Sequence, residues 1–299
     1  MKAWLNGQIM DGEQACLNVR DHGLLYGDGV FEGIRIYGGR LFRLPDHLRR
    51  LAFSAAYIGL ELPFSLQRIG EIVEETAAAF NESEAYVRLL VTRGVGQLGV
   101  DPNSCESPQL VCMVGRIALY DRESTEVGIK MVTTSMRKPP PDVLNPEIKS
   151  LNYLNSVMAK REAILRGAHE GLVLNLHGKV AEASVANVFA WTDGALVTPP
   201  SIDGALPGIT RATVIELARC LGIETQIRSI GQAELMRAEE VFLSGSGARL
   251  VSVRCLDRVT IGSGKRPVFD RIDDAFREYT LQADRVSRST DQLQSAACA

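Results

Sequence analysis

Lys149 stands in the run Asn145-Pro146-Glu147-Ile148-Lys149-Ser150-Leu151-Asn152-Tyr153, just after Pro139, Pro140, Pro141 and Pro146 have ruled out helix. A lysine in such a place is most simply a solvated charge. Held against an apolar wall beside a helix N-terminus it behaves differently, because burial and positive potential both disfavour the ammonium form. A lysine kept partly neutral is what Schiff-base chemistry needs. Leu151, Leu154, Val157, Met158 and Ile164 recur at helical spacing, which predicts an amphipathic helix that starts at Lys149 and buries that stripe. Lys160, further along the same helix, reads as surface charge.

Three other places could hold an anion. Leu206-Pro207-Gly208-Ile209-Thr210-Arg211 precedes an apolar-periodic helix, where Gly208 permits close backbone approach and the first amides point outward. Such a start binds phosphate, and Thr210 adds a hydroxyl; a plain helix start fits the same residues. Ser244-Gly245-Ser246-Gly247 follows a strand and forms either a nest of amides or a tight turn. Arg50 adjoins the apolar face of its helix, so its stem is buried, whereas Arg49 is the better solvated charge. An anion site beside a Schiff-base lysine suggests an aldehyde cofactor carrying a phosphate. The ring nitrogen of such a cofactor needs a carboxylate. Glu182, set among Val180, Ala181, Ala183 and Ser184 just before an apolar strand, is the candidate, with a surface glutamate as the plainer alternative.

These residues must be positioned by two domains, the expectation for 299 residues. Asn6-Gly7 and Gly38-Gly39 are hairpin signals, the second between Val30–Tyr37 and 40–43. Helices are expected near 46–58 and over 65–80, then strands over 86–92 and 110–115. This is an α+β domain spanning 1–117. Polar residues 118–127 read as a linker. A larger domain over 128–283 follows, with strands near 128–134, 172–176, 188–191, 195–197, 225–230, 240–243 and 250–254. Helices at 209–221 and 269–282 complete it. Residues 284–299 are small, polar and aperiodic and read as a disordered tail.

The composition excludes several function classes. A net charge of −3 gives no case for nucleic acid or an anionic membrane, and no apolar run approaches the length of a bilayer span. The N-terminus turns too early for a signal peptide, so the cytoplasm is expected. Six cysteines without a Cys-x-x-Cys pair and four histidines without a ligand spacing argue against a metal. Reactivity would then come from an organic cofactor.

Taken together, Tyr26-Gly27-Asp28-Gly29-Val30-Phe31-Glu32-Gly33-Ile34-Arg35, Ala85-Tyr86-Val87-Arg88, the run Gly94–Pro102, Ile148–Tyr153, the 206–211 loop and the 244–247 turn form an ordered set. In this set the chain resembles the fold-type IV pyridoxal-phosphate enzymes, and most closely the branched-chain amino acid aminotransferases. The resemblance covers about residues 3–280. It implies a two-domain α+β architecture: a small α+β domain and a larger, β-barrel-like domain with flanking helices. It implies pyridoxal 5'-phosphate on Lys149, which also shuttles the proton between substrate and cofactor. Glu182 would pair with the ring nitrogen and Tyr153, one helical turn after Lys149, with the phenolic oxygen. Arg50, Gly208, Ile209, Thr210 and Ser246 would hold the phosphate, with Leu206 against the ring. Tyr26, Phe31, Gly33, Arg35, Tyr86 and Arg88 would shape the substrate pocket, and amides at Gly247 and Ala248 would receive the α-carboxylate. Leu98 and Val100 would reach in from a neighbouring subunit, making a homodimer or higher homo-oligomer the functional unit.

One pocket must then accept both an aliphatic chain and a γ-carboxylate. Phe31, Leu98 and Val100 offer apolar surface, and Arg88 offers charge at its edge. The expected reaction moves the amino group between leucine, isoleucine or valine and 2-oxoglutarate. Departures from the family pattern bear on the substrate. Ala183-Ser184-Val185-Ala186-Asn187 replaces a glycine-rich run, and its Ala186-Asn187 pair is similar to that of the aminodeoxychorismate lyases. Arg249-Leu250-Val251-Ser252 replaces the more usual Glu-Ile/Val-Thr-Pro, and a substrate-recognising tyrosine falls at Leu119, beside Tyr120. Lyase, D-amino acid transaminase and R-amine transaminase remain alternatives, as does a non-catalytic phosphate-ligand module.

Overall fold

The computed structural model describes residues 1–282; the expected tail at 284–299 lies outside them. The chain divides into two compact units. One is Met1–Ile117 with Ile148–Tyr153, and the other is Ala118–Glu147 with the chain from Leu154 onward.

In the first unit β1 (Lys2–Leu5) and β2 (Gln8–Asp11) flank Asn6-Gly7. Both turn residues have positive φ, 53° and 84°, as a type I′ hairpin requires. A short helix α1 (His22–Tyr26) leads to β3 (Gly29–Tyr37) and β4 (Arg40–Leu41). Helices α2 (Leu44–Tyr57) and α3 (Leu66–Phe80) follow, then β5 (Ala85–Thr92) and β6 (Gln109–Gly115). The sheet runs β2-β1-β6-β5-β3-β4, every pair antiparallel. Strand alternation assigns its two faces. Val30, Ile34, Ile36, Val87, Leu89 and Val91 pack with Leu48, Leu51, Ile69 and Ile72 of the two helices in one core. The opposite face is left to Phe31, Gly33, Arg35, Tyr86 and Arg88, with Gly33 opposite Arg88 and Arg35 opposite Tyr86.

The segment around Lys149 differs from the sequence expectation. It is extended rather than helical, and it lies along β3. The Phe31 amide donates to the Lys149 carbonyl, the Leu151 amide donates to the Gly29 carbonyl, both at 2.9 Å, and Ser150 bridges Val30. Backbone groups committed to a strand edge cannot also start a helix.

The helix α5 therefore begins at Leu154 and runs to Leu165 in the second unit. Its buried residues are Ala159 and Ala163, while Leu154, Val157, Met158 and Ile164 are exposed, Leu154 by 71% and Ile164 by 62%. The apolar stripe thus points away from the core of its own unit. Close approach replaces it: a Cβ on Gly171 would lie 2.9 Å from the Ala159 carbonyl oxygen.

The rest of the second unit opens with α4 (Arg122–Val127), inside the stretch expected as a linker, and β7 (Ile129–Arg137). After α5 come β8 (Glu170–Leu174), β9 (Val180–Ala183), β10 (Asn187–Thr192) and β11 (Ala195–Thr198). Helix α6 (Ile209–Cys220), β12 (Thr225–Ile227) and α7 (Gln232–Arg237) lead to β13 (Glu240–Gly245) and β14 (Arg249–Leu256). The unit closes with β15 (Val259–Thr260) and α8 (Pro267–Gln282). The sheet order is β12-β11-β10-β13-β14-β7-β8-β9, with β15 on β14. The sheet curls, so that its last strand, β9, comes back into contact with β10. Among the described residues no helix is long and apolar enough to cross a membrane, and no group of three or more His, Cys, Asp or Glu could hold a metal.

Candidate active site

Within the first unit the reactive cluster is built on β3 and the strand-like segment beside it. The Lys149 amine donates to the Tyr153 hydroxyl at 2.9 Å and sits 4.3 Å from the centre of the Phe31 ring. The Tyr153 and Phe31 rings meet edge to face at 4.8 Å. Tyr153 reaches the amine without the helical turn that sequence spacing suggested, since both residues precede α5. Burial lowers the Lys149 ammonium from 10.5 to about 8, Arg50 and Arg88 push the same way, and Glu32 opposes them.

Arg88 lies 4.5 Å over Phe31 and 5.5 Å from the Tyr86 ring, so an apolar surface and a fixed positive charge are presented side by side. Gly33 makes this possible. A Cβ there would lie 2.0 Å from the Tyr86 hydroxyl. The structure thus brings Lys149, Tyr153, Phe31, Gly33, Tyr86 and Arg88 together. Arg35 stands one pair further along β3, with Glu84 at 3.6 Å and the Tyr37 ring at 5.7 Å. The Tyr26 hydroxyl accepts the Gly99 amide at 2.8 Å, and the His22 ring bonds the Gln97 carbonyl at 2.9 Å. Those two contacts brace the loop whose tip carries Leu98 and Val100, exposed by 82% and 78%.

Arg50 is almost enclosed, with its side chain 10% exposed, and Arg49 is solvated at 68%, as their positions on α2 suggested. Sequence reading gave no role to its partners. Buried Glu32 accepts from Arg50 Nε at 2.7 Å and Nη2 at 2.8 Å, and bonds buried His47 Nδ1 at 2.7 Å. The signal was present: a carboxylate at a core-facing position of an apolar strand.

In the second unit Glu182 lies inside β9, buried, so the surface reading is excluded. One carboxylate oxygen pairs with the Lys138 ammonium. The other accepts the Leu206 amide at 2.9 Å and the Asn187 amide nitrogen at 3.4 Å, and Asn187 also donates to the Leu206 carbonyl at 2.8 Å. The pairing of Lys138 and Asn187 with Glu182 has no signal in the sequence. Lysine after Arg137 carries no pattern, and it reaches β9 across β8, the one strand between β7 and β9. Gly208 precedes α6, and its Cβ would fall 2.1 Å from Asn187 Oδ1, so the glycine is required by packing. No side chain caps the first turn of α6, where Ile209 and buried Thr210 stand. Arg211 turns back to Thr198 and the Pro199 carbonyl. The turn carrying Ser246, Gly247 and Ala248 joins β13 to β14, and at its base the buried Ser244 hydroxyl has no partner.

Lys160 is not the simple surface charge expected, since it pairs with buried Glu170 at 3.1 Å. Tyr120 is committed too: its hydroxyl donates to Glu170 at 3.0 Å, and burial, reinforced by that carboxylate, raises the phenol's pKa.

A two-unit α+β chain with a curled sheet and a partly buried lysine of lowered pKa has the architecture of the fold-type IV pyridoxal-phosphate enzymes. More particularly, the chain belongs to the family described as Amino-transferase class IV, which matches residues 29–256. A putative branched-chain-amino-acid aminotransferase of Methanocaldococcus jannaschii is 44% identical over 257 residues, covering 86% of this chain and 88% of that protein. The crystal structure of the Escherichia coli branched-chain amino acid aminotransferase superposes with a TM-score of 0.89 at 34% identity, covering 92% of this chain and 93% of that one. The Thermobaculum terrenum branched-chain aminotransferase, solved in its PLP-form, gives 0.86 at 31% identity and 95% coverage of both chains.

Proposed function

We propose that this chain is a pyridoxal-phosphate-dependent aminotransferase that moves the amino group between L-leucine, L-isoleucine or L-valine and 2-oxoglutarate. The observation that carries the reading is Lys149, a partly buried amine whose pKa is lowered to about 8 and which is hydrogen-bonded to Tyr153.

The residues fit the cofactor on grounds of this chain's own chemistry. A carboxylate has about four acceptor positions. Three donors meet Glu182, which leaves a place for a protonated ring nitrogen. The uncapped first turn of α6 and the unpartnered Ser244 hydroxyl suit a phosphate group. Lys149 is the amine that would hold the aldehyde carbon. When bound, the cofactor supplies an electron-accepting ring and the carbon that carries the amino group between substrates.

The protein's part is positioning and proton transfer. Neutral Lys149 takes the proton from the substrate Cα and returns it, and Tyr153 keeps the amine oriented. Glu182 would hold the ring nitrogen protonated. Arg50, Gly208, Ile209, Thr210 and Ser246 would hold the phosphate, with Leu206 against the ring. Phe31 receives the aliphatic side chain, and Arg88 at its edge receives the γ-carboxylate of glutamate. Tyr26, Gly33, Arg35 and Tyr86 shape the pocket, and the Gly247 and Ala248 amides receive the α-carboxylate. Leu98 and Val100, being exposed, serve a second copy of the chain, so the working form is a homodimer or larger.

The test is a panel of amino donors at fixed 2-oxoglutarate. L-leucine, L-isoleucine and L-valine are converted, and Lys149→Ala loses both turnover and the visible absorption of bound cofactor. Activity confined to D-alanine or an R-amine, or pyruvate release from aminodeoxychorismate without leucine turnover, overturns the reading.

A further inference from the structure

The core-facing positions of β3 are Val30, Glu32, Ile34 and Ile36, three aliphatic residues and one carboxylate. Stability does not call for the acid. A buried ion pair gains little over well-packed apolar residues of similar volume, because both charges must leave water. The local geometry is nonetheless fully specified. Arg50 meets Glu32 through two parallel hydrogen bonds, at 2.7 and 2.8 Å, the bidentate form that fixes a guanidinium plane. His47 supplies the third contact at 2.7 Å, and its Nε2 is buried without a partner. Burial depresses the His47 pKa against the pull of Glu32, so the ring is neutral and Nδ1–H donates. Burial alone would raise the Glu32 pKa; the charge and hydrogen bonds of Arg50, with the His47 hydrogen bond, outweigh it and hold the carboxyl at about 2. The three side chains form one ionised pair braced by a neutral imidazole.

We propose that Glu32, braced by His47, is a positioning residue that holds the Arg50 guanidinium in place for the cofactor's phosphate and balances its charge beside Lys149. This rests on the reading that places Arg50 at the phosphate. Lys149 feels both members of the pair, in opposite directions, alongside Tyr86, Arg88 and His47. Removing Glu32 and removing Arg50 must therefore move the Lys149 amine oppositely, which a merely structural defect would not do.

The experiment is a double-mutant cycle read as the Kd of the apo-protein for pyridoxal phosphate, with the pH midpoint of cofactor capture as a second readout. Glu32→Gln and Arg50→Gln each raise Kd about tenfold or more, the scale of one charge-assisted hydrogen bond, and the double variant is no weaker than either. The capture midpoint falls in Glu32→Gln and rises in Arg50→Gln. Glu32→Asp keeps the charge but retracts the carboxylate by one methylene, so it guards against misfolding of the glutamine variant, and it too weakens binding. Wild-type affinity in folded Glu32→Gln or Glu32→Asp, with Arg50→Gln impaired, overturns this inference alone, as do additive effects in the double variant. Wild-type affinity in Arg50→Gln overturns the assignment of Arg50 to the phosphate, and this inference with it.

Discussion

The Lys149 amine lies 2.9 Å from the Tyr153 hydroxyl although no helix carries the two residues. An extended segment pairs with β3 as far as Leu151, and a tight turn follows in which the Tyr153 amide donates to the Leu151 carbonyl at 2.9 Å. The amine is thus held by a hydroxyl on one side and the Phe31 ring on the other.

Tyr153→Phe keeps the ring packing and removes the hydroxyl. A hydrogen bond to a charged group contributes about 1.5–3 kcal/mol, so kcat should fall roughly 10- to 100-fold. Protein stability should change little, because Tyr153 is only partly buried. Steady-state kinetics with L-leucine checks this, and an unchanged kcat would remove Tyr153 from the machinery.

The pH dependence follows from the lowered Lys149 amine. Capture of pyridoxal phosphate by the apo-protein should be half-maximal near pH 8 instead of near the ordinary lysine value of 10.5. The folded lysine sheds its proton first, so between these values the unfolded chain binds more protons. Stability of the apo-protein then rises with pH across that window. Denaturant unfolding of wild type against Lys149→Met isolates the effect: the difference should narrow as pH rises from 8 to 10.5, and a constant difference would contradict the buried-amine assignment.

Gly33→Ala tests the substrate face. The new Cβ would fall 2.0 Å from the Tyr86 hydroxyl, the far end of a side chain that is able to swing away. The variant should therefore fold with a melting temperature close to wild type. Displaced Tyr86 should disturb the surface shared with Arg88, raising KM for both leucine and 2-oxoglutarate about tenfold, the effect of a few misplaced methylenes. A KM within a factor of two for every substrate would separate Gly33 from substrate recognition.

Much of this was legible because short-range rules fixed it. Asn6-Gly7, the alternation along β3 and β5, and the helix start after Gly208 follow from turn chemistry and periodicity. The 145–163 run misled for a physical reason. Helical spacing in Leu154, Val157, Met158 and Ile164 is real, but it describes an exposed face, while Ala159 and Ala163 make the close contact with the sheet. Small residues pack without announcing themselves as a hydrophobic stripe. β9 was missed for the same cause, since Val180-Ala181-Glu182-Ala183 is short and weak in strand formers. The partners of the predicted residues were the least legible. Glu32 and His47 are 15 positions apart, and Lys138 and Glu182 are 44 apart; only the folded sheets join them.

Lys138 carries the last prediction. Its ammonium pairs with a Glu182 oxygen, and Gly204 gives its stem room: a Cβ there would lie 2.6 Å from Lys138 Cγ. In Lys138→Met the carboxylate keeps only the Leu206 and Asn187 donors. Both are neutral, so the carboxylate loses its ion-pair partner and its hold on a ring proton should weaken. Removing one partner of a buried pair costs about 3–5 kcal/mol, so the melting temperature should fall as well. Lys138→Met/Glu182→Gln separates the two effects. Loss of both charges should recover much of the stability while leaving kcat low, because the ring nitrogen still lacks an anion, and Lys138→Arg should preserve both. Recovery of kcat in the double variant would mean that the pair only stabilises the fold.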